Sequence, residues 1–141
     1  QQYFAVKATP NPNIVAIMVE EGCGTDCSSV AELVISDRLG LSGHDIMFTS
    51  NNTTYEEFLD ATKLGAIINL DSPIHIDDIA RLPQLPDLIS FRYNPGAERR
   101  GNVIIGDPQA SKFGSTREQL FEGYTRCKEL GIERFGLHAM I

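Results

Sequence analysis

Short apolar runs recur along the chain at a nearly constant interval. Their starts lie 21, 21, 21 and 22 residues apart, near Tyr3, Gly24, Asp45, Ala66 and Leu88. A sixth run covers residues 135–141. The runs DIMF, AIINL and LISF are almost continuously apolar, which is typical of strands covered on both faces of a sheet. The pattern therefore predicts six β-strands.

Segments with helical periodicity fill the intervals between these strands. The first follows Asn11-Pro12, a cap with proline at the first helical position. Three later segments open with capping-box patterns, namely Ser29-x-x-Glu32, Thr54-x-x-Glu57 and Thr116-x-x-Gln119. A short helix opens at Ser72-Pro73 and is stopped by Pro83. The chain thus predicts a strand and a helix repeated five times, followed by the sixth strand.

Strict alternation of strands and helices requires parallel strands joined by right-handed crossovers. The length of 141 residues is that of about one domain, which we expect to span residues 1–141. Two architectures fit, an open doubly wound sheet or part of a (β/α)8 barrel. The equal spacing of the units favours the barrel, and six strands do not close a barrel of eight. We therefore predict an α/β fold, a partial TIM-type barrel of about six parallel strands with five crossover helices.

One connection breaks the regular spacing. Residues 95–115, rich in glycine, proline and asparagine, separate the fifth strand from its helix. Connections between strands and helices are usually only a few residues long. This one also carries Ile104, Ile105 and Phe113, apolar side chains that need cover. The connection is therefore interpreted as a functional loop.

Composition excludes several classes of function. Twelve basic and nineteen acidic residues give a formal net charge of -7, which argues against nucleic acid as a partner. No apolar run approaches the roughly 20 residues of a membrane span, and no signal peptide is recognisable, so we expect a cytoplasmic protein without a membrane partner. Cys23, Cys27 and Cys127 predict neither a disulfide framework nor a metal site. Cys23 and Cys27 are interpreted as small buried thiols.

Polar residues collect where the predicted strands end. Lys7, Asp26, Arg92 and His138 follow or close four of the strands, together with hydroxyl and amide residues around Ser50. In a parallel sheet these carboxyl ends share one rim, where α/β folds place their chemistry. A lone lysine at a strand end is usually solvated. A lysine facing this set of groups predicts a functional site.

Carbonyl capture is the chemistry that such a set permits. A lysine amine that is partly removed from water forms a Schiff base with an aldehyde. Asp26 would orient the amine or stabilise its positive charge. His138 would stack on a flat ligand or protonate it, although a core or solvated position fits this histidine equally well.

Six ordered motifs resemble a known family along essentially the whole chain. They are YFAVKATPNP, GCGTDCSSVAEL, DIMFTSN, FRYNPG, SKFG and FGLHAMI. This order is similar to that of diaminopimelate decarboxylase and its relatives, the fold type III decarboxylases built on an alanine-racemase-like barrel. The resemblance implies pyridoxal phosphate as cofactor, a small amino acid as substrate and a homodimer of the parent enzyme.

The resemblance also implies roles for particular residues. Lys7, in the A-V-K motif, would carry the cofactor. Asp26 would lie beside the lysine, and Glu32 in a supporting shell around the site. Arg92 would lie beneath the cofactor. His138 matches the first histidine of the family's G-L-H-x-H stretch and would also contact the cofactor.

Two departures from the family accompany these matches. Met140 stands in place of the second histidine of that stretch, and we expect it, like Ser50, to support the site by packing. The 141 residues also end before the family's glycine-rich phosphate loop, the acidic partner of the pyridine nitrogen and the C-terminal β-domain. We therefore expect the chain alone to be inactive.

The implied reaction of the parent enzyme is the decarboxylation of meso-diaminopimelate to L-lysine and carbon dioxide, a step of lysine biosynthesis. A decarboxylase of another basic amino acid or polyamine precursor, such as ornithine, arginine or carboxynorspermidine, is the alternative within the family. A non-catalytic module that binds aldehydes or phosphate, or that serves assembly, is the alternative from a different class.

Overall fold

The computed structural model describes residues 1–95 and 113–139. Its six strands are β1 Tyr3–Ala5, β2 Gly24–Cys27, β3 Ile46–Ser50, β4 Ile67–Leu70, β5 Leu88–Tyr93 and β6 Arg134–Ala139. Its five α-helices are α1 Pro12–Glu20, α2 Val30–Arg38, α3 Tyr55–Lys63, α4 Ile76–Ala80 and α5 Arg117–Glu129. Short 3-10 turns lie at Val6–Ala8, Gly43–Asp45 and Pro73–His75.

All six strands form one parallel sheet in the order of the sequence, from β1 to β6. Each strand begins within one residue of the position that the apolar pattern predicts. Within the described residues, β1 and β6 are the two edges of the sheet and do not pair. The fold is an α/β partial barrel, as predicted.

The helix starts follow the sequence with one exception. Asn11 caps α1, and the reciprocal capping boxes of Thr54 and Thr116 both form. The capping box predicted at Ser29 does not form, because the side chain of Ser29 accepts no backbone N–H. The carboxylate of Glu32 reaches one residue further back and accepts the backbone N–H of Ser28 at 2.8 Å. Glu32 therefore fixes the corner between β2 and α2.

One face of the sheet packs against the helices. Phe48 of β3 meets Phe58 of α3 edge to face, with ring centroids 6.4 Å apart. Phe91 of β5 meets Tyr124 of α5 in the same way at 5.0 Å. A Cβ at Gly123 would lie 2.9 Å from the Phe91 ring, so the glycine lets α5 approach β5 closely. This apolar layer is the core of the described structure.

The opposite face of the sheet carries the polar residues. Register aligns Thr49 with Asn69, and Arg92 with His138. Side chains alternate between the two faces along each strand, so residues in register with one another lie on the same face. Polar groups from β3, β4, β5 and β6 therefore share one side of the sheet near the ends of the strands.

Two expectations concern the ends of the chain. β1 ends at Ala5, and the turn Val6–Ala8 buries Val6 while it leaves Lys7 exposed. Lys7 is therefore more exposed than expected for a partly desolvated amine, because it lies in this short turn and not within β1. At the other end, Met140 lies outside the described residues, as do residues 96–112 of the long connection.

The three cysteines are free thiols. Cys27 and Cys127 are buried, whereas Cys23 is only partly buried, so the prediction of a buried thiol is wrong for Cys23, which lies in the turn before β2. In the described part of the chain, no helix combines the length and apolar character that crossing a membrane requires.

Candidate active site

A cavity of about 420 Å³, here called the rim cavity, lies at the carboxyl ends of the strands. Its volume is within the roughly 300–1,000 Å³ typical of small-molecule sites. Five of the predicted site residues line it, which are Lys7, Asp26, Ser50, Arg92 and His138. They come from both halves of the chain, so the parallel sheet brings together residues that are far apart in sequence.

Asp26 reaches the rim cavity from β2 with one oxygen unpaired. Neither Oδ1 of Asp26 nor Oγ1 of Thr49 finds a hydrogen-bond partner in the described part of the chain, although both atoms are buried. Burial raises the pKa of Asp26, and the negative charge of Glu32 raises it further. The nearby hydroxyl of Thr49 and the positive charges of His138 and Lys7 partly lower it. A ligand that supplies a donor would relieve the unpaired acceptor, whose cost is about 1–3 kcal/mol.

Arg92 is held at the rim cavity by Asp71, which directly follows β4. Nη1 of Arg92 donates to Oδ1 of Asp71 at 3.1 Å, and both side chains are largely buried. The backbone N–H of Gly114 donates to the other oxygen, Oδ2, at 3.2 Å. Asp71 therefore joins the ends of β4 and β5 to the residues that precede α5.

The strand ends of the sequence place Asp71 on the same rim as Arg92 but do not reveal that the two side chains pair. An acidic residue directly follows β4, and a basic residue lies near the end of β5. Adjacent parallel strands bring such a pair to the same rim. The second ligand of the carboxylate, the N–H of Gly114, lies 43 residues away in sequence and leaves no local signal.

The far end of the long connection is tied to β5. The backbone of Ser115 donates to the carbonyl of Arg92 at 2.7 Å and accepts from the N–H of Asn94 at 2.9 Å. The ring of Phe113 lies against the guanidinium of Arg92, 5.3 Å from its centroid. Phe113 thus covers the guanidinium of Arg92, and the functional character of the connection stays a prediction.

His138 enters the rim cavity from β6 and is held by Asn69 of β4. Nδ2 of Asn69 lies 3.0 Å from Nδ1 of His138. Burial lowers the pKa of His138, and the positive charge of Arg92 lowers it further, while Asp26 and Asp71 partly compensate. The neutral imidazole is therefore the favoured form at neutral pH.

Glu32 does not line the rim cavity. It is 8% exposed, and its carboxylate accepts hydrogen bonds from the backbone and hydroxyl of Ser28 and from the hydroxyl of Ser29. Ser28 itself lines the cavity. Glu32 thus lies behind the cavity wall and fixes the segment that follows Asp26.

The residues of the rim cavity fit a ligand that carries an aldehyde and polar substituents. Lys7 supplies an accessible primary amine, Arg92 a fixed positive charge, and Asp26 and Thr49 unpaired polar atoms. This donor set is suited to pyridoxal phosphate. Among the described residues, no group of three or more histidine, cysteine, aspartate or glutamate side chains is arranged to hold a metal ion.

The partial parallel barrel, with a lysine and an arginine at its rim, forms an α/β domain suited to binding an aldehyde that carries a negative charge. The model of the family "Pyridoxal-dependent decarboxylase, pyridoxal binding domain" matches residues 1–141. The chain belongs to this family, whose cofactor is pyridoxal phosphate.

Curated relatives agree with this assignment. The chain is 40% identical to Protein TabA of Pseudomonas amygdali pv. tabaci, over all of the chain and 33% of TabA. It is 34% identical to the diaminopimelate decarboxylase of Methanothermobacter thermautotrophicus, over all of the chain and 33% of that protein. The chain therefore spans about a third of the length of the curated relatives that it matches.

Solved structures share the fold. A mutant diaminopimelate decarboxylase from Helicobacter pylori, complexed with L-lysine, has a TM-score of 0.87 and 22% identity, covering 99% of this chain and 37% of its own. The ornithine decarboxylase of Entamoeba histolytica has a TM-score of 0.74 and 24% identity, covering all of this chain and 37% of its own. At these identities the likeness establishes the barrel fold alone.

Proposed function

We propose that residues 1–141 form a single domain that binds pyridoxal phosphate through Lys7, and that the protein containing it is an amino-acid decarboxylase. The observation that carries this proposal is the rim cavity, which Lys7, Asp26, Arg92 and His138 share. The proposed substrate of the decarboxylase is meso-diaminopimelate, and the proposed products are L-lysine and carbon dioxide.

Lys7 is the nucleophile of this proposal. Its amine is exposed and lies in the same cavity as Asp26, so an aldehyde that enters the cavity has access to it. The carboxylate of Asp26 stabilises positive charge on the lysine nitrogen, because an opposite charge nearby favours the charged form. Raised pKa values of this kind are common at functional sites.

When bound, pyridoxal phosphate supplies an electron sink for the pair of electrons left by a departing α-carboxylate. The chain's own residues hold and orient the side chains of the rim cavity. Asp71 fixes the guanidinium of Arg92 at the cavity, and Glu32 fixes the segment from Asp26 to α2. Met140 and Ser50 are proposed to pack around the ligand.

The substrate is the finer part of the proposal. Diaminopimelate decarboxylases of Methanothermobacter thermautotrophicus and Thermoplasma acidophilum are 34% and 33% identical to this chain, which supports diaminopimelate. TabA is more similar at 40%, and its name states no substrate. Another basic amino acid or polyamine precursor is therefore the second candidate.

Reduction with borohydride tests the role of Lys7. The full-length protein that contains this chain is incubated with pyridoxal phosphate, reduced, digested and examined by mass spectrometry. We expect a phosphopyridoxyl group on the peptide that contains Lys7, because reduction makes the bond between the amine and the aldehyde permanent. The Lys7→Ala variant should carry no group on this peptide.

Lys128→Ala is the matched control, since Lys128 is exposed on α5. It should label at Lys7 like the wild type. Absence of label from Lys7 in the wild-type protein, or equal labelling of many exposed lysines, would contradict the proposal and favour a module that binds aldehydes or phosphate without catalysis.

A substrate panel tests the finer proposal. Carbon dioxide release by the full-length protein is measured with meso-diaminopimelate, ornithine, arginine and carboxynorspermidine. The highest kcat/KM is expected for diaminopimelate, and a higher value for another amino acid would reassign the substrate.

The homodimer and the cytoplasmic location stay predictions. Light scattering of the full-length protein tests the homodimer.

A further inference from the structure

The hydrogen bond between Asn69 and His138 joins two strands that do not pair. Asn69 lies on β4 and His138 on β6, and β5 runs between them. Nevertheless, Nδ2 of Asn69 comes within 3.0 Å of Nδ1 of His138. A side chain on one strand therefore reaches across its neighbour to hold a side chain of the rim cavity.

Small residues on the same face make this reach possible. Register aligns Asn69 with Ser90, and Ser90 with Gly136. A Cβ added at Gly136 would lie only 3.2 Å from Cβ of Ser90. Ser90 and Gly136 therefore leave space for the contact between Asn69 and His138, and a larger residue at Gly136 would obstruct it.

The chemistry of the two groups fixes the direction of the hydrogen bond. An amide nitrogen only donates, so Nδ1 of His138 accepts. A neutral imidazole that accepts at Nδ1 carries its proton on Nε2. Asn69 is 1% exposed, so bulk water has little access to compete for this contact.

We propose that Asn69 is a positioning residue that holds His138 in the Nε2–H tautomer, so that the ring presents a hydrogen-bond donor to the rim cavity. In the described part of the chain, the contact of the His138 ring is made at Nδ1, and none is made at Nε2. The donor would bind an acceptor oxygen of the cofactor or substrate. This use of the ring rests on the proposed function, whereas the tautomer does not.

Nitrogen NMR measures the tautomer directly. The full-length protein that contains this chain is labelled with 15N-histidine and examined without pyridoxal phosphate, at a pH where His138 is neutral. Its signals are assigned by their loss in His138→Gln. We expect the chemical shifts of a protonated Nε2 and an unprotonated Nδ1. A predominant Nδ1–H tautomer, or an equal mixture of the two, overturns the proposal.

Two substitutions of Asn69 sharpen the test. Asn69→Leu removes the donor and should yield a mixture of tautomers, with kcat/KM lowered about tenfold, as for other residues that orient a functional histidine. Asn69→Asp replaces the donor by an acceptor and should move the proton to Nδ1. If Asn69→Leu leaves the tautomer ratio of the wild type unchanged, or if Asn69→Asp keeps a predominant Nε2–H signal, Asn69 does not set the tautomer.

Ile68→Val is the matched control. Ile68 is the neighbouring residue of β4, is fully buried and faces the opposite side of the sheet. Ile68→Val should leave the tautomer of His138 and kcat/KM unchanged. A change in the tautomer would mean that a general disturbance of β4 is sufficient to shift it. The wild-type spectrum is recorded without the cofactor and needs only His138→Gln for its assignment, so its outcome is independent of whether Lys7 labels with pyridoxal phosphate.

Discussion

The two halves of the rim cavity differ in how far their polar side chains are held by hydrogen bonds within the chain. On the side of β4 to β6, Asp71 accepts hydrogen bonds from Arg92 and from the backbone of Gly114. Nδ2 of Asn69 contacts His138 on the same side, while Oδ1 of Asn69 is buried without a partner among the described residues. The folded chain itself therefore fixes these side chains.

On the side of β1 to β3 the polar groups are incompletely satisfied. Oδ1 of Asp26 and Oγ1 of Thr49 are buried without partners in the described residues, and Lys7 is exposed. Buried polar groups normally find partners, and exceptions often mark functional sites. The paired half should therefore contribute to stability, whereas the unpaired half carries chemistry that a ligand completes.

The largest expected loss of stability follows from Asp71→Ala in the paired half. The substitution removes a buried partner of Arg92 and the acceptor of the Gly114 N–H. Loss of such buried, charged hydrogen bonds costs about 3 kcal/mol. Urea denaturation followed by circular dichroism measures the change.

Asp78→Ala is the control for this substitution. Asp78 pairs with the exposed Arg81 on the surface of α4, and such pairs contribute at most about 1 kcal/mol. An equal loss of stability in the two variants would mean that the Asp71 cluster is no more stabilising than a surface pair.

Gly114→Ala should cost less, about 1–2 kcal/mol, because both its backbone and its surroundings resist a side chain. Gly114 has φ +81° and a Cβ there would lie 3.2 Å from the carbonyl oxygen of Arg92. Gly40 has nearly the same φ, +82°, with nothing within 4 Å of the added Cβ. Gly40→Ala therefore reports the backbone cost alone.

The difference between these two glycine variants isolates the crowding at the rim. It is measured as the difference between their denaturation midpoints in urea. If Gly40→Ala is as destabilising as Gly114→Ala, the close approach of Gly114 to Arg92 adds nothing, and the paired half is less tightly packed than the structure indicates.

Sequence patterns predict the secondary-structure elements and the polar rim better than the contacts between side chains across the sheet. Six parallel strands and three of the four helix caps follow from local signals, because each depends on residues within about one turn or strand. Lys7, Asp26, Arg92 and His138 reach one cavity because parallel strands align their carboxyl ends. The predicted rim follows from this topology.

Contacts across the sheet could not be predicted in the same way. The Asn69 to His138 contact spans 69 residues and depends on the small side chain of Ser90 and on Gly136. The exposure of Lys7 depends on a tight turn that ends β1 early. Both depend on three-dimensional packing, for which the apolar period of the chain carries no information.

Asp26→Asn, in the unpaired half, should make the folded protein more stable at neutral pH, by roughly 1 kcal/mol. Burial raises the pKa of Asp26, so the folded chain holds the proton of this acid more strongly than the unfolded chain does. Its contribution to stability is therefore present below the unfolded pKa of the carboxyl and is lost as the pH rises through the raised folded pKa.

The stability difference between Asp26→Asn and the wild type should thus be small at acid pH and grow with rising pH. Thermal denaturation at several pH values measures it, with Asp37→Asn as control, since Asp37 is exposed on α2. A difference independent of pH would show that the charge of Asp26 is not the source. We also expect lower decarboxylase activity, because the lysine nitrogen loses its counter-charge.

The smallest effect on stability is expected from Lys7→Ala. Lys7 is exposed, so its removal should change the free energy of unfolding by less than about 0.5 kcal/mol. The same substitution should abolish phosphopyridoxyl labelling and decarboxylation, since no other group in the described rim cavity supplies a primary amine. Lys7→Arg keeps the charge without a primary amine and should lose labelling equally. A large loss of stability in either variant would place Lys7 with the paired half and contradict the distinction between the two halves.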